Sequence, residues 1–237
     1  MIHHVSIITS KLHDNVNFYV NVLGMTFVKK TVNFDDPFTY HLYYGNSSAD
    51  EGSIVTFFVH PNSQKGKKGK GVAHGMVLEV PYEIHKKLGD KINDPDGLLI
   101  KLKPGKDYKI LGVITTASKE FHDKFSLDSE SEFLQGNDYG VMGAGIIHHT
   151  AFSVQNVNEQ KKFREKIIQH NPSPIIDRFY FKSIYFQEPN GCLIEVATNG
   201  PGFFIDEVDK TKLGKKLMLP PQYEEYRNEI ETRLPEL

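Results

Sequence analysis

The stretches Met1-Ile-His-His-Val-Ser6 and Gly145-Ile-Ile-His-His-Thr-Ala-Phe152 decide how this chain is read. A purification tag would account for the first His pair but not the second. A core histidine would account for one of them, but not for the repeat. The residues after each pair repeat a pattern as well. Residues 12–24 place Val16, Tyr19, Val20 and Leu23 at helical spacing and stop at Gly24. Strand-like runs come next over residues 25–30, 39–44 (TYHLYY) and 53–59 (SIVTFFV), with a turn through 46–52. After the second pair, residues 156–168 read as a helix with Phe163, Ile167 and Ile168 as its apolar set. Residues 183–187 (SIYFQ) and 192–197 (CLIEVA) read as strands around the turn Glu188-Pro-Asn-Gly191. Two β-α-β-β-β units, one near each end, are the simplest reading.

The centre is less regular. Residues 72–81 and 98–102 have strand character around a short helix at 83–88, and residues 108–115 suggest another strand. Residues 121–135 are too polar to assign. We read this region as one or two shortened copies of the same unit, followed by a polar segment at 136–145. The chain then divides into a first module at 1–66, trimmed middle modules at 67–140, a last module at 141–200 and a C-terminal extension at 201–237. The expected fold class is α+β: repeated β-α-β-β-β modules forming a curved mixed sheet around a metal cleft.

Composition excludes several function classes. With 237 residues, 39% hydrophobic and a net charge of −2, the chain suits one large domain or two fused modules. No apolar run approaches the roughly 20 residues of a membrane helix, and the N-terminus lacks a signal-peptide layout. Cys192 is the single cysteine, so no disulfide framework exists, and a reducing, cytoplasmic location is expected. The near-neutral charge gives no reason to expect nucleic acid as a partner. The basic run Lys65-Gly-Lys-Lys-Gly-Lys70 has no interleaved aromatics and reads as a solvated loop.

Strand alternation separates the members of each His pair, because successive side chains point to opposite faces. His3 shares a face with Val5 and Ile7, and His4 with Ser6 and Ile8. His148 lies with Thr150 and Phe152, and His149 with Ala151 and Ser153. The bulkier faces should pack under the helices. The faces with small or polar neighbours, carrying His4 and His149, should line the cleft. Glu195, between Ile194 and Val196, is a carboxylate in an apolar run, where glutamate is seldom buried without a partner. Two histidines and one glutamate form the set that holds non-haem Fe(II) while leaving coordination positions open.

These residues lie in segments that resemble the vicinal-oxygen-chelate superfamily of glyoxalases, bleomycin-resistance proteins and extradiol dioxygenases. More narrowly, they resemble its hydroquinone-type ring-cleaving dioxygenases. The segments are IHHVS at the start, VKKTVNFDDPFTYHLYYG from Val28, VMGAGIIHHTAF from Val141, DRFYFKSIYF from Asp177 and LGKKLMLPPQYE from Leu213. Full members have four complete modules, whereas the second and third are trimmed here. The resemblance implies metal-ligand positions at His4, His149 and Glu195. It implies ligand-supporting or substrate-contacting positions at His3, His148, Arg178 and Tyr185. It also implies Fe(II), with Mn(II) as the alternative, a small aromatic substrate and O2 as partners, and leaves room for a homo-oligomer. Tyr185, with Arg178 and a supporting histidine, would hold a developing oxyanion and move protons.

Aligning Gly52-Ser-Ile-Val-Thr56 with Gly191-Cys-Leu-Ile-Glu195 sets Thr56 where the last unit has its carboxylate. A symmetric glyoxalase-type site would draw a ligand from both units, so three ligands favour oxygen activation. Two alternatives stay open. One is a metal-dependent lyase or isomerase of the glyoxalase kind. The other is a metal-free protein sequestering an aromatic drug, with Phe57, Phe58, Tyr40 and Tyr43 as stacking walls.

Overall fold

The computed structural model describes residues 1–127, 130–136, 138–207 and 209–237. Its first unit runs β1 (Ile2–Thr9), α1 (Leu12–Val16), β2 (Thr26–Asn33), β3 (Asp36–Gly45) and β4 (Ile54–Val59). The centre contains β5 (Ala73–Pro81), α2 (Tyr82–Leu88), β6 (Lys91–Asn93), β7 (Leu99–Gly105), β8 (Lys109–Thr115), α3 (Lys119–Phe125) and β9 (Glu132–Phe133). The last unit runs β10 (Ile147–Val154), α4 (Val157–Lys166), β11 (Ile176–Asp177), β12 (Lys182–Gln187) and β13 (Leu193–Thr198), and α5 (Arg227–Arg233) closes the chain. The α+β fold read from the sequence is the fold observed.

All thirteen strands among the described residues belong to one mixed sheet. In the first unit, β1 pairs parallel with β4, and β3 and β2 continue outward. The last unit repeats this: β10 pairs parallel with β13, then β12 and β11. The two units join through the antiparallel β1–β10 pair. Gly52 and Gly191, four residues before Thr56 and Glu195, both have positive φ (85° and 98°), a conformation glycine adopts without a Cβ penalty. Each closing strand is thus entered from a glycine in the left-handed region.

The centre follows the same rule with fewer strands. β5 pairs parallel with β7, which pairs with β6; β8 pairs parallel with β9; and β5 and β8 join antiparallel. These are a three-strand and a two-strand version of the pattern. A single pairing, Ala73 with Ile147, ties them to β10. The stretch left unassigned at 121–135 contains most of α3 and β9, while residues 128 and 129 lie outside the described residues. Ser118 caps α3 by accepting from the Phe121 N–H, and only Phe121 and Phe125 supply an apolar pair, too short a signal for periodicity.

The helix read at 12–24 forms, but beyond Val16 it widens into a π-helical segment, Asn17–Val22. The Leu23 N–H reaches back five residues to the Phe18 carbonyl. Tyr19 is buried on this element and stacks on Tyr44 with centroids 5.1 Å apart. The second helix is shorter than the 156–168 expected, ending at Lys166 with Ile168 exposed. Among the described residues, no helix is long and apolar enough to cross a membrane.

Candidate metal centre

His4, His149 and Glu195 come from three adjacent strands, β1, β10 and β13, and all three are buried. One ligand atom from each lies within 4.8 Å of the others. Glu195 Oε2 is 3.3 Å from His4 Nε2 and 2.9 Å from His149 Nε2. The other carboxylate oxygen, Oε1, accepts hydrogen bonds from the hydroxyls of Ser183 and Tyr185, the latter at 3.1 Å. Fixing Oε1 this way turns Oε2 toward the two imidazoles. Burial by itself pushes the Glu195 carboxyl up, but His4 and His149 together hold it well below the usual carboxylate range.

The His pairs depart from strict alternation. The β1–β10 register steps from Ile2↔Phe152 to His4↔Ala151, and from Ser6↔His149 to Ile7↔Ile147, so His3 and His148 are each the extra residue of a β-bulge. A bulge re-aims its side chain. His3 Nδ1 lies 2.9 Å from His4 Nδ1, and His148 Nδ1 lies 2.8 Å from His149 Nδ1. His3 also hydrogen-bonds the Thr198 backbone, and burial, with His4 beside it, lowers its pKa to about 3. Burial and the neighbouring His149 lower that of His148 to about 4. A neutral His3 that donates to a carbonyl has its Nδ1 lone pair left to accept from His4 Nδ1–H. The His148–His149 contact repeats the His3–His4 contact on the second ring.

Two imidazole nitrogens and a carboxylate oxygen, all buried and within 4.8 Å of one another, make a convergent donor set. The donor set, two nitrogens and one oxygen, fits a first-row divalent metal and could hold one.

The cluster opens onto a cavity of about 340 Å³. His4, His148, His149, Arg178, Tyr185 and Glu195 line it, whereas His3 is not among the lining residues and reaches the site only through His4. Among the described residues, every lining residue comes from the first or last unit and none from 67–140. Arg178 Nε donates to Tyr185 Oη at 3.1 Å, extending a chain that runs on to Glu195. Burial and the Glu195 charge push the Tyr185 phenol above its ordinary value, so it stays protonated.

Register also places Thr56 as the alignment did. Thr56 pairs with Ser6 and Tyr43, as Glu195 pairs with Ala151 and Tyr185. Yet Thr56 does not line the cavity. His41 does, and its Nε2 lies 2.8 Å from Thr56 Oγ1 while its Nδ1 lies 2.9 Å from Tyr43 Oη. Sequence reasoning passed over His41. The signal was there: His41 and Tyr43 alternate on one face of the strand paired with Thr56.

A family model described as the Glyoxalase/Bleomycin resistance protein/Dioxygenase superfamily matches residues 1–196. The chain is 33% identical to the Bacillus subtilis (strain 168) protein named "Putative ring-cleaving dioxygenase MhqO", covering 98% of this chain and 95% of the relative. That alignment runs over 298 positions against 237 residues here, so the relative has segments without a counterpart in this chain. Identity is 24% to the "Chlorohydroquinone/hydroquinone 1,2-dioxygenase" of Sphingobium indicum, covering 97% and 94%. Among solved structures, a "putative dioxygenase" from Bacillus subtilis matches with a TM-score of 0.87 at 30% identity, covering 100% of this chain and 96% of that one. Glyoxalase I from Zea mays matches at 0.56 and 13% identity, covering 83% and 92%, a likeness of fold alone.

Proposed function

The chain belongs to the Glyoxalase/Bleomycin resistance protein/Dioxygenase superfamily, and from that premise we propose that it is an Fe(II)-dependent ring-cleaving dioxygenase acting on a hydroquinone or related dihydroxybenzene. The observation that carries this reading is the count of donors at the cavity floor. His4, His149 and Glu195 converge there, while the position equivalent to Glu195 in the first unit is Thr56, covered by His41. Three protein donors leave coordination positions for small molecules, where a symmetric glyoxalase-type site would fill one more.

When bound, Fe(II) supplies the one-electron chemistry that lets O2 react with an electron-rich ring, a reaction that is otherwise slow. The protein's own part is positional and protic. Ile8, Phe58, Phe181 and Leu193 give the cavity apolar walls suited to a planar ring, and its volume suits a single-ring ligand. Tyr185 Oη, held between Arg178 Nε and Glu195 Oε1, presents a neutral phenol at the cavity wall. It would steady negative charge developing on a substrate oxygen and pass a proton, with the Arg178 guanidinium behind it. His148, which also lines the cavity, would share this work, and His3 would orient His4. Holding ring and oxygen together replaces a bimolecular encounter with an oriented one.

The test is anaerobic Fe(II) loading followed by oxygen-electrode traces with a panel of hydroquinones and catechols. Stoichiometric oxygen uptake with a ring-opened product is expected. Metal-loaded protein that consumes no oxygen with any member of the panel would overturn the reading.

A further inference from the structure

The tip of the β2–β3 hairpin is the two-residue turn Phe34-Asp35, which lines the cavity and meets the loop that carries Arg178. Asp35 grips Arg178 with both oxygens: Nη1 to Oδ1 at 3.0 Å and Nη2 to Oδ2 at 3.0 Å. With Nε committed to Tyr185, all three guanidinium nitrogens are engaged by the protein. Among the described residues, Arg178 is the sole Lys or Arg lining the cavity. Its side chain is 17% exposed, while that of Asp35 is 71% exposed at the mouth.

A ring carboxylate entering a cavity of this kind needs a cationic partner that is not already neutralised, because a desolvated anion without one is costly. Asp35 occupies that partner and adds a negative charge beside it. We propose that Asp35 is a specificity-determining residue, making the cavity accept dihydroxybenzenes with uncharged ring substituents and reject those that carry a ring carboxylate. This rests on the dihydroxybenzene reading above and narrows it. The selection is a repulsive element set against the unwanted ligand, not an added contact to the wanted one.

The test compares 2-methylhydroquinone with 2,5-dihydroxybenzoate, titrated calorimetrically under nitrogen into wild-type protein and Asp35→Asn. Both metal-free and Fe(II)-loaded protein are used, at low and high salt. Wild type should bind the methyl compound much more tightly. In Asp35→Asn the affinity ratio should move toward the carboxylate by at least ~10-fold, since opposed like charges at a binding site cost more than that factor. The shift should shrink at high salt, and adding Arg178→Gln should abolish it. A parallel fall for both rings in Asp35→Asn, with the ratio unchanged, would overturn the inference and leave Asp35 as a brace for the hairpin. Equal binding of both rings by wild type would also overturn it. Binding of neither ring by loaded wild type would instead sink the dihydroxybenzene reading, and the inference with it. The Asp35 side chain is mostly exposed, so the variant should melt like wild type.

Discussion

His3 and His148 each offer a neutral imidazole nitrogen to the ring beside them, an arrangement strict alternation does not produce. Removing the acceptor frees the neighbouring ring to turn and to change tautomer. We expect His3→Ala and His148→Ala to weaken Fe(II) or Mn(II) affinity ~10–100-fold. His4→Ala, His149→Ala and Glu195→Ala should lose occupancy almost completely, as elemental analysis after anaerobic loading will show. Wild-type affinity in both supporting variants would mean that the Nδ1 contacts carry no weight. Asp94 gives a second prediction at this scale. Its Oδ1 accepts the N–H groups of Asp96 and Leu98 at 3.0 and 2.8 Å, and burial pushes its carboxyl from 3.8 up to about 6. The folded state therefore keeps a proton that the unfolded chain releases. That contribution is fully present below pH 3.8 and lost as pH rises through about 6. Asp94→Asn retains Oδ1 and cannot ionise. Denaturant melts should show it gaining on wild type between pH 4 and pH 7, and a pH-independent difference would contradict the shifted carboxyl.

Among the elements, β4 and β13 occupy equivalent places, and their difference at one position shapes the cavity. Glu195 on β13 reaches the floor, whereas Thr56 on β4 is sealed between Ser6 Oγ at 2.7 Å and His41 Nε2 at 2.8 Å. Thr56→Val keeps the shape and removes the hydroxyl, leaving Ser6 and His41 short of a partner in a buried setting. A loss of about 1–3 kcal/mol in chemical denaturation is expected, with Fe(II) stoichiometry unchanged because Thr56 is not a donor. A loss of metal without a loss of stability would show that Thr56 touches the site after all.

Across the whole molecule, the sheet's far edge at β2 is covered by the C-terminal extension. Leu217 bridges to Lys30, and the Met218 N–H donates to the Lys30 carbonyl. Beneath that strap Lys29 is fully buried, pairing with Asp206 at 2.6 Å and with Glu207. Removing one partner of a buried ion pair leaves an uncompensated charge, so Lys29→Met should destabilise by about 3–5 kcal/mol. It should also loosen the strap, and limited proteolysis should then cut within residues 201–237 sooner than in wild type. Unchanged cleavage and melting would mean that the strap is held by its apolar contacts instead.

Much of this was legible from one dimension. The repeated His pairs, the helix and strands after each, and a lone carboxylate in an apolar strand marked two like units and their candidate metal-ligating residues, because period and residue type are local properties of the chain. Alignment of Gly52–Thr56 with Gly191–Glu195 is met by the strand register, since both segments leave a positive-φ glycine into the same parallel pairing. The features beyond reach depend on neighbours distant in sequence. The bulges at His3 and His148 arise only when β1 and β10 are laid together, because a bulge is a mismatch between two strands. His41 meets Thr56 only because β3 pairs with β4, and the Asp35–Arg178 grip joins residues 143 positions apart. Which residue types each unit carries, and their order along the strands, follow from the linear chain. Tertiary structure alone decided which side chains meet across the cavity, because hydrogen bonds and ion pairs depend on distances that only strand pairing sets.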